Sequence, residues 1–141
     1  MHVSAVLAGR PPAVVSPRAT VKDLVSHLAR HDVGAAVVSS DGVTVDGLVS
    51  ERDVIRALRD RGAAALDASV ATVMNAAAPS VRPSDRYLDA LKLMLDRRIR
   101  NVPVVEDGRY VGLLSLRDIA QRRMTEVTDE TDALRCYIAG A

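Results

Sequence analysis

The sequence predicts a mixed α/β protein built from two similar halves, each with the order strand, helix, strand, strand, helix. The main observation is an internal repeat. Gly47-Leu-Val-Ser-Glu-Arg-Asp53 recurs as Gly112-Leu-Leu-Ser-Leu-Arg-Asp118, 65 positions further along the chain (118 − 53). Because one copy of a repeat usually cannot bury its apolar face alone, the two copies should pack against each other.

Helical periodicity is the second observation, and it also occurs twice. Upstream of each repeat, Val15-Ser-Pro17 and Val81-Arg-Pro83 match at a spacing of 66 and predict a first strand. Apolar residues then follow the i, i+3, i+4, i+7 pattern of an amphipathic helix in both copies. They are Val21, Leu24, Val25 and Leu28 in the first copy and Tyr87, Ala90, Leu91 and Met94 in the second.

Asp-Gly turns between apolar runs are the third observation. The runs Ala35–Val38 and Val102–Val105 predict buried strands. Asp41-Gly42 and Asp107-Gly108 follow them and predict hairpins to the next strand. The repeat spacing falls from 66 to 65 after these turns, so the second hairpin is one residue shorter, at a place where length changes cost little.

The remaining elements complete each half and its flanks. The second helices are predicted from Glu51 to about Arg61 and from Leu116 to about Met124. An Ala-rich linker runs from Gly62 to about Ser80, with a short helix over Ser69–Met74 capped by Ser69. Short helices are also expected over His2–Ala8 and over Val127–Ile138, with Leu134, Tyr137 and Ile138 on one side of the latter. The predicted units are residues 1–62, 63–125 and a helical tail, 126–141.

Composition limits the possible partners. A chain of 141 residues with 48% hydrophobic residues is long enough to bury a core. The net charge of +1 creates no overall field that would attract nucleic acid or an anionic membrane. Aromatic residues make up only 2% of the chain, so stacking platforms for nucleic-acid bases are nearly absent. Neither nucleic acid nor a membrane is therefore expected as a partner.

Cysteine and histidine usage favours a cytoplasmic protein without a metal. The single Cys136 cannot form an internal disulfide, which fits a reducing compartment. No apolar run approaches the ~20 residues that span a bilayer, and the first residues show no secretory signal. His27 and His31 are four residues apart but lack the H-E-x-x-H pattern, so no zinc site is expected.

The Ser-x-Arg-Asp segment stands where a strand should pass into a helix. The first N–H groups of a helix lack partners and carry partial positive charge, which suits a phosphate. Ser50 offers a further hydrogen bond, and Arg52 offers a planar cation for phosphate oxygens. The two carboxylate oxygens of Asp53 can accept from both hydroxyls of a ribose. The second copy offers the same groups in Ser115, Arg117 and Asp118.

The same residues also fit a capping box, in which Ser caps the helix and an acid three residues later caps back. Capping boxes favour Glu or Gln, whereas both copies use Asp. Capping also does not require the Arg that recurs in both copies. The nucleotide site and the plain cap both remain open from the residues alone.

Together these motifs resemble a cystathionine-β-synthase (CBS) domain pair, also called a Bateman module, over roughly residues 3–124. The resemblance rests on Val73-Met-Asn75 with Pro79-Ser-Val81, on Arg98-Ile-Arg-Asn-Val-Pro-Val-Val105, and on the two Ser-x-Arg-Asp segments. The segment from Glu126 to Ile138 is similar to the tail of small stand-alone bacterial members.

The resemblance implies two β-α-β-β-α units packed with pseudo-twofold symmetry, leaving two clefts. It implies a non-catalytic regulatory module whose ligand is AMP, ADP or ATP, or else NAD or S-adenosylmethionine. The ligand would act as a regulator and not as a required cofactor. The resemblance also implies a homodimer and a regulated protein whose identity is unknown. The alternative is a structural or protein-interaction module with vestigial clefts.

The resemblance also assigns roles to residues. Ribose would bind Asp53 and Asp118, and phosphate would bind Ser50, Arg52, Ser115 and Arg117. The base would lie among Val14, Val15, Gly34, Ala35 and Ala36 in one cleft, and among Pro79, Ser80, Asn101, Val102 and Pro103 in the other.

The walls of the two clefts differ. Gly34-Ala-Ala-Val37 stands where the second copy has Arg100-Asn-Val-Pro103. We therefore expect two clefts that share the Ser-x-Arg-Asp segment, which we call the floor, but bind the ligand with different affinities. The cleft beside Arg100 and Pro103 is the one expected to take a phosphorylated adenosine.

Overall fold

A computed structural model describes residues 1–7 and 14–140 and confirms the mixed fold of two similar halves. Ala8 and Ala141, which belong to two of the predicted elements, lie outside the described residues. The helices and strands are α1 (Val3–Val6), β1 (Val14–Val15), α2 (Val21–His31), β2 (Ala35–Val38), β3 (Gly47–Ser50), α3 (Glu51–Arg61), α4 (Tyr87–Arg97), β4 (Asn101–Glu106), β5 (Arg109–Ser115) and α5 (Leu116–Gly140).

The first half is a three-stranded sheet covered on one face by α2 and α3. β1 runs parallel to β2, and β2 runs antiparallel to β3. Thr20 caps the start of α2: its hydroxyl accepts from the Asp23 N–H at 3.1 Å, and the Asp23 carboxylate accepts from the Thr20 N–H at 3.2 Å. The helices bury Leu24 and Leu28 against the sheet. The start of β2 at Ala35 and the end of β3 at Ser50 lie side by side, at the edge of the sheet where the site is predicted.

The second half repeats this arrangement with a reduced first strand. β4 and β5 pair antiparallel, but the expected strand at Val81 is a single parallel bridge to Val104. Val81 donates to the Pro103 carbonyl at 3.0 Å and accepts from the Val105 N–H at 2.8 Å. A longer ladder would need an N–H at residue 103, which proline lacks.

The two hairpins differ in their turns. Asp107 and Gly108 have φ values of 52° and 75°, the left-handed pair that a tight hairpin turn requires. The first hairpin is present, but its connection is the longer segment 39–46 and not a tight Asp-Gly turn. There the Asp41 carboxylate accepts from the N–H groups of Val43 and Thr44, both at 2.8 Å, and holds the wider loop.

The C-terminal helix is one element and not two. The prediction of separate helices ending near Met124 and starting at Val127 is wrong, because α5 runs unbroken from Leu116 to Gly140. The hydroxyls of Thr125, Thr128 and Thr131 donate to the carbonyls four residues earlier, at 2.9–3.0 Å, so these threonines lie within the helix.

The halves meet through the sheet faces that the helices leave open. Ala35, Val37 and Leu48 of the first half pack with Tyr110 and Leu113 of the second. The Tyr110 N–H also donates to the Val43 carbonyl at 2.7 Å. This apolar layer fixes the two predicted junctions relative to each other. Among the described residues, no helix is long and apolar enough to cross a membrane.

Each half is completed by the segment that precedes the other half. Val3 and Val6 of α1 lie in the core of the second half. The short helix predicted over Ser69–Met74 is a 3-10 turn over Val70–Thr72, and it packs on the first half. Ser69 precedes this turn but makes no side-chain cap. The boundary at residues 62 and 63 stays a prediction.

We call residues 1–7 and 68–74, each of which packs on the half that it does not precede, the crossing segments. Backbone hydrogen bonds show that the two crossing segments are equivalent. Val3 N–H donates to the Asp85 carbonyl and Val70 N–H to the Ala19 carbonyl, both at 2.8 Å. The next residues continue the match, since Ser4 and Ala71 donate to the carbonyls of Pro83 and Pro17 at 3.0 and 3.1 Å. The pseudosymmetry therefore extends to residues 1–7 and 68–74.

Candidate functional site

The first junction brings Gly34, Ala35 and Ser50 together. Ser50 is the last residue of β3 and lies opposite Ala35 of β2. The Glu51 N–H, at the start of α3, donates to the Gly34 carbonyl at 2.9 Å. β1, which carries Val14 and Val15, pairs with the far side of β2. The residues predicted for the first cleft therefore lie on neighbouring strands.

The second junction has the same arrangement. Ser115 lies opposite Asn101, and the Leu116 N–H donates to the Arg100 carbonyl at 2.8 Å. Pro79 and Ser80 directly precede Val81, which bridges to β4. The predicted residues of the second cleft are thus neighbours too.

Both motif carboxylates bind back to their own strand-to-helix junction. One oxygen of Asp53 accepts from the Ser50 N–H at 2.8 Å and from the Ser50 hydroxyl at 3.1 Å. One oxygen of Asp118 accepts from the Ser115 N–H at 3.2 Å, while the Ser115 hydroxyl accepts from the Asp118 N–H at 3.0 Å. The capping interpretation of these residues is therefore correct in both copies.

Capping uses only one of the two oxygens of the Asp53 carboxylate. Its other oxygen lies 3.7 Å from an exposed Arg56 guanidinium nitrogen, and the side chain is 18% exposed. A carboxylate oxygen in this position still has lone pairs for a hydroxyl donor. The guanidinium-bearing Arg52 and Arg117 are exposed at the two junctions. Capping and ligand binding are therefore compatible in the first copy.

The predicted wall residues divide between two environments. The side chains of Ala36 and Val102 are fully buried in the cores beneath the helices. Ala35 faces the layer between the two halves. No part of Ala36 or Val102 is exposed, so contact of a ligand with these residues stays a prediction.

Charge at the two junctions is opposite in sign. Around the first, Asp32 and Glu51 carry two negative charges, and a Cβ built at Gly34 would lie 3.4 Å from the Glu51 carboxylate. At the matching positions of the second copy, Arg98 and Arg100 carry two positive charges and Leu116 is neutral. The second junction therefore has the more positive electrostatic potential of the two.

A cavity of about 490 Å³ lies between α2 and α3 and reaches Gly34. Gly34 is the only residue predicted to bind a ligand that lines it, so this cavity is not the expected nucleotide cleft. Its lining is mostly apolar with two acids: Val25, Leu28, Ala29, Asp32, Val33, Gly34, Glu51, Val54 and Ile55.

Sequence reasoning missed why both motifs begin with glycine. A Cβ on Gly47 would lie 2.9 Å from the Met74 sulfur, and one on Gly112 would lie 3.1 Å from a Leu7 methyl carbon. Leu7 and Met74 occupy matching places in the two crossing segments. The signal was present in the sequence as Val3-Ser-Ala-Val6 and Val70-Ala-Thr-Val73, spaced by 67 residues.

Two titratable groups away from the motifs are perturbed by burial. Burial raises the pKa of Tyr110, whose hydroxyl has no hydrogen-bond partner among the described residues. Burial also lowers the pKa of His27, with His31 and Arg30 adding to the effect. No group of three or more potential metal-ligating side chains occurs within residues 1–7 and 14–140.

Comparison with known proteins gives a consistent match. The CBS domain family model matches twice, over residues 3–60 and 70–124. A mitochondrial CBS domain-containing protein of Arabidopsis thaliana is 33% identical over 125 residues, which is 86% of this chain and 61% of the plant protein. The chain thus spans about three fifths of that relative's length.

Solved structures of CBS domain proteins are also similar to this chain. A CBS-domain containing protein of Agrobacterium tumefaciens superposes with a TM-score of 0.82 at 32% identity, covering 87% of this chain and 99% of that one. A CBS domain protein of Pyrobaculum aerophilum, solved as a complex with AMP, has a TM-score of 0.76 at 33% identity and covers 84% and 89%.

Proposed function

Because the chain belongs to the CBS domain family, with two copies of the domain, we propose that it is a regulatory module that binds adenosine nucleotides without catalysing a reaction. The observation that carries the proposal is the pair of equivalent junctions, each holding an Asp carboxylate beside the start of a helix and an exposed Arg. The complex of the Pyrobaculum relative with AMP supports adenosine as the ligand class.

Within each cleft the roles follow from chemistry. The outer oxygen of Asp53 would accept from ribose hydroxyls while the inner oxygen stays bound to Ser50. Asp118 would serve the ribose of the second cleft. Arg52 and Arg117 would contact phosphate oxygens, to which a planar guanidinium can donate two hydrogen bonds. Regulation would act through differential affinity, because a ligand shifts a conformational equilibrium only as far as its affinity differs between states.

The second cleft is the one proposed for a phosphorylated ligand. Arg98 and Arg100 supply positive charge there, where the first copy has Asp32 and Gly34. The carboxylate of Glu51 also takes the first helical position of α3, which favours anions, while α5 begins with neutral Leu116. Substituting R100G should therefore weaken AMP binding more than adenosine binding.

Thermal unfolding with a ligand panel tests the proposal. Protein freed of bound small molecules would be heated with AMP, ADP, ATP, NAD or S-adenosylmethionine. A ligand at one hundred times its Kd stabilises the fold by about 2.7 kcal/mol, roughly 5–10 °C for a chain of this size. No shift with any of these ligands at millimolar concentration would contradict the proposal.

One observation favours a purely structural role instead, namely that capping boxes account for the Ser and Asp of both motifs. In that case S50A and S115A would each cost about 1 kcal/mol of stability and change no ligand response. If the motifs bind nucleotide, the same variants also weaken the thermal response to AMP.

A further inference from the structure

The C-terminal part of α5 extends away from the body of the protein. From Met124 to Gly140 every residue is exposed except the partly buried Glu126. Glu126 accepts from the Tyr87 hydroxyl at 2.7 Å, which is where the helix leaves the second half. The fourteen residues that follow Glu126, 127–140, extend for roughly 21 Å at the rise of an α-helix.

An isolated helix of this length is only marginally stable in water. Most helices in proteins are stabilised when an apolar face packs against another element. Large apolar side chains are nevertheless exposed along this segment, with Met124 71% exposed, Leu134 60% and Ile138 66%. The segment therefore has an apolar face that no described residue covers.

The spacing of the exposed residues identifies the kind of element that fits this face. Met124, Val127, Thr131, Leu134 and Ile138 follow one another at intervals of 3, 4, 3 and 4 residues. This is the a and d pattern of a coiled coil, with Val127 and Leu134 at d. We call this row the α5 stripe. β-Branched residues at a with leucine at d favour two parallel strands, and Ile138 with Leu134 follows that rule.

The charges beside the α5 stripe point to a second copy in parallel orientation. Glu130 falls at position g and Arg135 at position e, and in a parallel pair a g residue faces the e residue five positions later on the other helix. Glu130 of each copy would therefore face Arg135 of the other. In the antiparallel alignment that fully overlaps the stripe, Glu130 faces its own counterpart, and like charges repel.

We propose that residues 124–138 of two copies of this chain form a parallel two-stranded coiled coil. Within one helix, the Arg135 guanidinium lies 4.0 Å from the Asp132 carboxylate, and both side chains are highly exposed. Such an exposed pair contributes little, so it does not hold Arg135 away from the other copy. Parallel pairing brings both C-termini to the same end of the dimer. This interface does not depend on nucleotide binding.

A charge exchange tests the pairing, with the dimer dissociation constant of the full chain measured by sedimentation equilibrium. E130R and R135E should each raise it, roughly tenfold, because each reversal turns two attractive contacts per dimer into repulsive ones. The double variant E130R/R135E should recover most of the loss. D129R, at the outward position f, is the matched control and should change little. A monomer at every concentration, unaffected single variants, or a double variant as weak as the singles would overturn the proposal.

Cysteine crosslinking tests the orientation. In a C136S background, L134C places a thiol at position d, where two parallel helices bring identical residues together. Mild oxidation should then join most chains, whereas A133C, one position away at c, should join few. Equal crosslinking of the two variants, or none with L134C, would overturn the parallel arrangement.

Discussion

Alanine substitution at the two motif glycines should have unequal effects, because the crossing segments approach them differently. At Gly47 a new Cβ would lie 2.9 Å from the Met74 sulfur and 3.0 Å from the Asn75 backbone oxygen. The backbone oxygen is held in place, since Leu48 N–H donates to it at 3.0 Å and Asn75 N–H donates back to Leu48 at 2.8 Å. Something must therefore shift to admit the methyl group.

At Gly112 the new Cβ would meet only the ends of the Leu7 side chain, at 3.1 and 3.3 Å. A flexible side chain can move by a few tenths of an ångström. Overpacking a rigid site costs about 1–3 kcal/mol, while Gly→Ala in an allowed conformation gains about 0.4–1 kcal/mol from the unfolded chain. We expect G47A to lose about 2 kcal/mol and G112A to stay within about 0.5 kcal/mol of the parent protein.

Urea unfolding followed by circular dichroism measures both values. The variant M74A/G47A is the control, since it removes the sulfur contact but keeps the Asn75 oxygen. Introducing G47A into M74A should lower the free energy of unfolding by less than introducing G47A into the parent protein. A G47A protein as stable as the parent, or a G112A protein less stable than G47A, would refute the proposed role of the crossing segments.

Two further substitutions test other parts of the structure. G108A should lose about 1 kcal/mol in urea unfolding, because Gly108 has φ +75° with open space around it and the cost is conformational. A G108A protein with unchanged stability would contradict the left-handed turn. For His27, burial holds the pKa below the ordinary 6.5, so the unfolded chain binds the proton more readily. Its contribution to stability is then complete above pH 6.5 and is lost as the pH falls through the lower folded pKa. The melting temperature should drop between pH 7 and pH 5 and drop less in H27Q, and equal slopes would count against this role.

Much of the fold was predictable because the repeat carries local signals. The spacing of Val21, Leu24 and Leu28 gave a helix that the structure confirms, and the Asp107-Gly108 turn has the expected left-handed backbone. The reduced strand at Val81 was harder to foresee, because it depends on the missing N–H of a proline in a different strand. The unbroken α5 was missed because separate helices were predicted to end near Met124 and to start at Val127, although neither glycine nor proline stands between them.

The candidate site was predictable at its floor and less so around it. Ser50 with Asp53 and Ser115 with Asp118 lie at strand-to-helix junctions as expected, beside Ala35 and Asn101. The contact of Met74 with Gly47 joins segments far apart in the sequence, so no local pattern could reveal it. Its signal in the sequence was the 67-residue spacing of Val3–Val6 and Val70–Val73, which gains its meaning once the two halves are known to exchange their leading segments.

Isothermal titration of AMP into ligand-free protein directly tests whether Asp53 and Asp118 bind the nucleotide. D118A should lose the tighter site, D53A should keep it, and D53A/D118A should bind no AMP while remaining folded by circular dichroism. D129A, which removes an exposed carboxylate on α5, should bind like the parent protein. If the double variant bound AMP as the parent does, the ribose assignment and the proposed site would both be wrong.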